Sequence, residues 1–115
     1  MAKGTGTVDL EAGRPTAEQA LVRLRGALAT FRRQGIRRVR IIHGYGSTGT
    51  GGAIRQAVRA ALPALVREGR VRAYCAGEAF GPFDEAGRSL LALEPAFRTE
   101  PDWGRGNEGV TLVLL

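Results

Sequence analysis

The alternation of apolar and polar residues predicts that the chain begins with a strand and a helix. Residues Val8–Glu11 alternate between the two classes, which is typical of a half-buried strand. An apolar stripe with helical spacing then covers residues 17–34. Because Thr16 and Gln19 have the spacing of a capping box, the pattern predicts a helix that begins directly after Thr16.

A second strand and a second helix flank a glycine-rich segment in the middle of the chain. Residues 38–42 are aliphatic on one face and basic on the other, which predicts a strand. After the glycine-rich residues 43–52, apolar positions with helical spacing predict a helix over about residues 53–66. Pro63 lies inside that stretch and is expected to kink the helix or to restart it as a short second piece.

The rest of the chain is predicted to contain two further strands and a short helix. Apolar residues at 71–75 and 110–115 predict strands, and the second of these is expected to be central in the sheet. Between them, within an insertion at 77–105, residues 85–93 predict a short helix and residues 96–100 a short strand or an extended segment. The order β-α-β-α-β-(insertion)-β predicts an α/β fold, a two-layer α/β sandwich with a mixed sheet.

The composition is that of a single globular domain. Of 115 residues, 43% are hydrophobic and 24% are charged, and no apolar run is long enough to cross a membrane. Cys75 is the only cysteine, which excludes an intrachain disulfide and a metal cage built from cysteines. Because the first residues lack a secretory apolar stretch, we expect a cytoplasmic protein. Residues 1–7 are expected to form a flexible arm, and residues 8–115 one domain.

Basic residues are concentrated in the first two thirds of the chain. The net charge is +6, and residues 1–77 contain 14 Lys and Arg against 4 Asp and Glu. Residues 78–115 contain 3 against 7, so the end of the chain is acidic. This asymmetry favours DNA, RNA or a ribosome as the partner. A solvated basic surface without a binding role is the alternative.

The glycine-rich loop carries a recognisable phosphate-binding pattern. Gly44, Gly46 and Gly49 form G-x-G-x-x-G between a predicted strand and a predicted helix, where free backbone N–H groups favour anions. A dinucleotide site with Glu78 as the ribose-binding acid is one interpretation, but the chain is too short for that domain. The residues favour a grip on a nucleic-acid phosphate backbone without an organic cofactor, and a plain connector is the third alternative.

Four segments together resemble the motifs of the Smr (small MutS-related) domain family. They match its Leu-Asp-x-His-Gly motif, its strand with His-Gly-x-Gly, its following helix and its closing Gly-x-Thr strand, at Val8–Gly13, Arg37–Gly46, Gly52–Val58 and Gly109–Leu114. The resemblance implies a fold similar to the C-terminal domain of bacterial translation initiation factor three. It also implies binding of DNA or RNA, often with nicking or single-strand endonuclease activity. Some members act on stalled ribosomes, and others are fused to MutS homologues.

Three features depart from the family pattern. Glu11 stands at the position of the family's histidine, and the loop within Ser47–Gly51 is longer. The acidic residues 77–105 have no obvious family counterpart. These departures leave two functions open, an endonuclease and a binding module that has lost cleavage.

Asp9, Glu11 and His43 are the candidate catalytic residues. The two carboxylates share a strand face, where they could hold Mg²⁺ or Mn²⁺, or Asp9 could act as a general base on a phosphodiester. The alternative is a pair of solvated carboxylates that bind nearby arginines. His43, the only histidine, could donate to a phosphate or protonate a leaving oxygen, or it could hydrogen-bond to neighbouring backbone and fix the loop.

A wider group of residues is expected to contact nucleic acid around the loop. Tyr45 could stack on an exposed base or simply lie on the surface. Arg55 is predicted in the first turn of the second helix, where a phosphate partner would offset its unfavourable interaction with the helix dipole. The predicted contact residues are His43, Gly44, Tyr45, Gly46, Arg55, Arg59 and Arg40.

Overall fold

The described part of the chain forms a four-stranded sheet with three α-helices. A computed structural model describes residues 4–45 and 50–115. The elements in chain order are β1 Gly6–Asp9, α1 Ala17–Arg33, β2 Arg38–Ile42, α2 Thr50–Arg67, β3 Ala73–Ala76, α3 Glu85–Leu93 and β4 Val110–Leu114. Short 3₁₀ helices cover Gly77–Ala79 and Pro95–Thr99.

The sheet is mixed, and its last strand is central, as the sequence predicts. The strand order is β1-β2-β4-β3, with β1 parallel to β2. β4 runs antiparallel to both of its neighbours, β2 and β3. All five residues of β4 are buried, because this strand has strand neighbours on both sides and packed side chains on both faces.

Helices α1 and α2 cover one face of the sheet and form the larger core. Leu24 and Leu28 of α1 and Ile54 of α2 pack with Val39 of β2 in one buried cluster. The predicted capping box is present at the start of α1, since the Thr16 hydroxyl accepts from the backbone N–H of Gln19 at 3.1 Å and the Gln19 side chain accepts from the Thr16 N–H.

The insertion covers the opposite face of the sheet. Phe80, Leu90 and Phe97 pack there against Leu112 of β4, and Trp103 meets Phe80 edge to face with 5.0 Å between ring centroids. Neighbouring residues of β4 point to opposite faces, so this cluster is separate from the core under α1 and α2. The two-layer sandwich that the sequence predicts therefore carries a third layer, formed by α3 and the two 3₁₀ helices.

Several predicted boundaries need correction. β1 begins at Gly6, and the Thr5 hydroxyl donates to Glu100 at 2.6 Å, so residues 5–7 belong to the fold and not to a loose arm. Residues 96–100, predicted as extended, lie mostly in a 3₁₀ helix that Pro95 opens. α2 begins at Thr50 and continues through Pro63 without restarting. None of the helices in the described part of the chain has the length and apolar character needed to span a bilayer.

Candidate functional site

Four strand ends meet at one edge of the sheet. Asp9 and Ile42 pair at the carboxyl ends of β1 and β2, and Ile42 also pairs with Val110 at the amino end of β4. Ala76, at the carboxyl end of β3, pairs with Thr111. Segments that continue from these ends are therefore neighbours, and they carry Glu11, His43, Gly44, Tyr45, Glu78 and Gly109.

His43 is fully buried, and both of its ring nitrogens are hydrogen-bonded. Nδ1 lies 2.9 Å from the carbonyl oxygen of Gly44, and Nε2 lies 2.8 Å from Oγ1 of Thr111. Because a carbonyl only accepts, the neutral ring carries its hydrogen on Nδ1, and Nε2 accepts from the Thr111 hydroxyl. The structure thus gives His43 the loop-fixing contacts that the sequence left as an alternative. Its contact with a phosphate stays a prediction.

The charge state of His43 follows from its surroundings. Burial lowers the pKa of His43 below its usual 6.5, since removing the ring from water disfavours the charged form. The guanidinium groups of Arg59 and Arg55 lower this pKa further, against the hydrogen bond to Gly44 and the carboxylate of Glu78. The ring is therefore neutral at pH 7 and acts as a fixed hydrogen-bonding group.

Gly44 occupies a position that requires glycine. Its φ of 82° lies in the left-handed region, and the Glu11 carboxylate fills the place where a Cβ would stand. The N–H groups of His43 and Gly44 both donate to the carbonyl of Gly109 at 3.0 Å. The Gly44 N–H is thus engaged within the chain, and a contact of Gly44 with a phosphate stays a prediction. The same expectation for Gly46 lies outside the described residues.

Asp9 and Glu11 stand at the exposed end of β1 but face different neighbours. Oδ1 of Asp9 accepts from the backbone N–H of Glu11 at 2.9 Å, which closes a turn, whereas the Glu11 carboxylate lies over Gly44. Within residues 4–45 and 50–115, no three His, Cys, Asp or Glu side chains are grouped to hold a metal ion. A Mg²⁺ or Mn²⁺ ion held by these two carboxylates stays a prediction of the sequence.

Arg55 and Arg59 of α2 bind the carboxylate of Glu78. Arg59 donates to Oε1 at 2.6 Å and to Oε2 at 2.8 Å, and Arg55 donates to Oε2 at 2.9 Å. These hydrogen bonds, chiefly those from Arg59, lower the pKa of Glu78 to about 2. The sequence predicts Arg55 in the first turn of α2. Because α2 begins at Thr50, Arg55 lies in the second turn instead. The arginine pair forms an anion-binding site that the chain's own carboxylate occupies.

The position of Glu78 excludes the role that the dinucleotide interpretation assigned to it. A carboxylate that accepts three hydrogen bonds from two guanidinium groups has little capacity left for ribose hydroxyls. The Nε atoms of Arg55 and Arg59 are buried and lack a hydrogen-bond partner within the part of the chain that the structure describes. The two arginines thus offer more donors than this carboxylate satisfies.

Tyr45 is the exposed aromatic residue next to this arginine pair. Its side chain is 62% exposed, and its carbonyl oxygen lies 3.5 Å from Nη1 of Arg55. The ring is near Gly109, at the start of β4. The Tyr45 backbone therefore contacts Arg55, and its exposed ring lies at the same end of the sheet as the arginine pair.

Arg40 is not part of this cluster. It lies on the sheet face covered by the insertion, where its Nε contacts Oδ2 of the buried Asp102 at 2.5 Å. Asn107 donates to the other oxygen of Asp102 at 3.0 Å, which completes a structural ion pair. The prediction that groups Arg40 with Arg55 and Arg59 is wrong, because alternate residues of β2 face opposite layers.

Sequence reasoning missed two partners in this site. Thr111 is the polar residue of the otherwise apolar strand β4, and that exception was a usable signal for a buried hydrogen bond. Glu78 drew attention only as a ribose ligand. Its pairing with the arginines could not be predicted, because it depends on β3 ending beside α2.

Comparison with known proteins agrees with this geometry. The sequence model of the Smr domain family matches residues 9–81 of the chain, which include Asp9 at the end of β1, His43, α2 and Glu78. This chain belongs to the Smr domain family. Its structure is similar to the crystal structure of the Smr domain of Thermus thermophilus MutS2, with 30% sequence identity, coverage of 96% of each chain and a TM-score of 0.57. A search of curated proteins finds no match.

Family membership defines the general activity of this Smr domain. Smr domains bind nucleic acids, and the family includes nucleases. The family model ends at residue 81, so α3 and Trp103 lie outside the matched segment. The similarity to the C-terminal domain of translation initiation factor three stays a prediction.

Proposed function

We propose that this Smr domain binds single-stranded or unpaired nucleic acid at the surface formed by Arg55, Arg59 and Tyr45. The observation that carries the proposal is the joint binding of one carboxylate by both arginines, next to the backbone of the exposed Tyr45. Arginine binds phosphate in the same two-pronged way, because its planar fork matches a pair of oxygens. The basic excess of residues 1–77 attracts the same ligand at longer range.

Tyr45 supports unpaired strands as the preferred ligand. A base can stack on a protein aromatic ring only when its face is free, which requires a single strand, a loop or a flipped nucleotide. Phosphate contacts alone do not distinguish DNA from RNA. We therefore expect the surface to bind both kinds of strand, with duplexes bound more weakly than single strands of the same length.

Binding measurements test this proposal directly. Fluorescence anisotropy with single-stranded DNA, single-stranded RNA and duplex DNA should show tighter binding of the single strands. Replacing both arginines, as Arg55→Ala with Arg59→Ala, should weaken single-strand binding about tenfold, since charge-assisted contacts to phosphate are lost. Arg67→Ala removes one positive charge from the other end of α2, against two in the double variant, and should change affinity much less. Equal affinity of all three proteins would contradict the proposal.

Cleavage of phosphodiester bonds is the second candidate function. The exposed carboxylate of Asp9 favours it. Asp9 is the strand partner of Ile42, the residue directly before His43, so Asp9 and His43 lie at the same edge of the sheet. In that reaction Asp9 takes a proton from water while the water oxygen bonds to phosphorus, and the bond from phosphorus to the leaving oxygen breaks. The leaving oxygen then takes a proton from solvent, and Glu11 would orient the water.

Nicking assays separate the two candidate functions. Supercoiled plasmid, single-stranded RNA and branched DNA would be incubated with Mg²⁺, Mn²⁺ or EDTA. Cutting by the native domain that disappears in Asp9→Ala would establish the endonuclease. Salt-sensitive binding without cutting would leave the domain as a binding module. Roles in DNA repair or on ribosomes stay predictions from the family resemblance, and a cytoplasmic location stays a prediction from the sequence.

A further inference from the structure

The acidic insertion supplies carboxylates to arginines that the sequence assigns to nucleic acid. Glu78, the first acidic residue after β3, is held by Arg55 and Arg59, and Asp102 is held by Arg40. The two ion pairs differ in exposure. The Asp102 side chain is 7% exposed, whereas the Glu78 side chain is 33% exposed and can be replaced by an incoming group.

A carboxylate and a phosphodiester present similar groups to arginine. Each carries a single negative charge spread over two oxygens that accept hydrogen bonds, so each fits the same pair of guanidinium donors. Both Glu78 oxygens are used, since Arg59 contacts Oε1 and both arginines contact Oε2. A phosphodiester bound at this place would make the same set of contacts.

We propose that Glu78 is an internal competitor that occupies the phosphate position between Arg55 and Arg59, and that nucleic acid binds by displacing its carboxylate. This inference rests on the proposed function, because it concerns the same surface. In this role Glu78 sets the affinity for nucleic acid. A ligand must first replace the three hydrogen bonds that Arg55 and Arg59 donate to the Glu78 carboxylate. An isolated anion gains little from that exchange. A strand that also stacks a base on Tyr45 gains an additional contact.

The exchange requires movement of one side chain and not of the backbone. Glu78 lies in the 3₁₀ helix Gly77–Ala79, whose backbone is fixed at Gly77, where an added Cβ would overlap the backbone oxygens of Asn107 and Val110. The Glu78 side chain itself reaches the surface. Rotation about its side-chain bonds, which is fast for exposed residues, can release the arginines.

Removing the competitor should therefore strengthen binding. Glu78→Gln keeps the size of the side chain and removes its charge, so we expect affinity for labelled oligothymidylate and oligouridylate to rise about threefold to tenfold. Glu85→Gln, in the first turn of α3, changes the net charge equally and serves as the matched control. The gain should vanish when Glu78→Gln is combined with Arg55→Ala and Arg59→Ala, because no arginine pair is left to release.

A measurement on the native domain tests the same proposal without a variant, and therefore does not depend on how well a variant folds. The carboxyl ¹³C signal of Glu78, followed by NMR, should shift on addition of oligothymidylate as the carboxylate leaves the arginines. A Glu78→Gln domain that binds no better than Glu85→Gln, or more weakly than the native protein, would overturn the proposal, as would an unchanged Glu78 signal in the complex. If the double arginine variant binds like the native domain, the proposed function itself fails, which is a distinguishable result.

Discussion

The Nε2 atom of His43 and the hydroxyl of Thr111 form a buried hydrogen bond of 2.8 Å between the end of β2 and the central strand β4. The same loop is tied to β4 a second time, since the N–H groups of His43 and Gly44 donate to the carbonyl of Gly109. These bonds fix the point at which the chain leaves the sheet towards Tyr45. His43 is therefore a positioning residue for the exposed surface.

Thr111→Val should destabilise the fold although it preserves the shape of the side chain. It leaves a buried ring nitrogen without a partner, which costs about 1–3 kcal/mol in the free energy of unfolding. Urea denaturation of the native domain, Thr111→Val, His43→Ala and the double variant measures the effect. We expect the two changes to be less than additive, because both remove the same bond. Native stability of Thr111→Val would show that the bond contributes nothing.

The stability of the domain should fall as the pH drops below about 6.5. Burial lowers the pKa of His43, so the unfolded chain takes up a proton at that pH and the folded domain does not. The contribution of His43 to the free energy of unfolding is fully present above pH 6.5. It is lost as the pH falls through the lowered pKa that His43 has in the folded domain. The charges of Arg55, Arg59 and Glu78 all affect the pKa of this ring. These three residues are the same in the native domain and in the His43→Gln variant. His43→Gln should abolish the pH dependence between pH 6.5 and 5, measured by urea denaturation.

The elements of this fold could be predicted from the sequence more fully than its site. The capping box at Thr16, the apolar stripe of α1 and the central strand β4 were all predictable, because each is a local or strongly periodic signal. The extension of β1 to Gly6 was missed, since residues 5–7 look like an arm until the contact of Thr5 with Glu100 and the pairing of β1 with β2 are known.

The site was harder to predict, because its contacts join distant segments. His43 and Thr111 are 68 residues apart, and Arg40 and Asp102 are 62 apart. The sequence identified Arg55 and Arg59 through their helical spacing, but the partner of Arg40, Asp102, depends on where the insertion folds. The occupant of the arginine pair, Glu78, depends on the same long-range packing.

Tyr45 should contribute through its ring and not through its hydroxyl. If a base stacks on it, Tyr45→Leu should weaken single-strand binding by about 1–3 kcal/mol, and Tyr45→Phe should bind nearly as well as the native domain. Anisotropy titrations with oligothymidylate compare the three proteins. An equal loss in both variants would assign the contribution to the hydroxyl, and no loss in either would place the base elsewhere.

The salt dependence of single-strand binding tests the central claim most directly. Each neutralised phosphate adds about 0.7 to the slope of log affinity against log salt for a single strand. Because Arg55 and Arg59 share one phosphate position, replacing both with alanine should reduce the slope by about 0.7. Arg67→Ala should leave the slope close to that of the native domain. That result would show that the arginine pair binds phosphate. A double variant with the slope and affinity of Arg67→Ala would show that nucleic acid binds at a different surface.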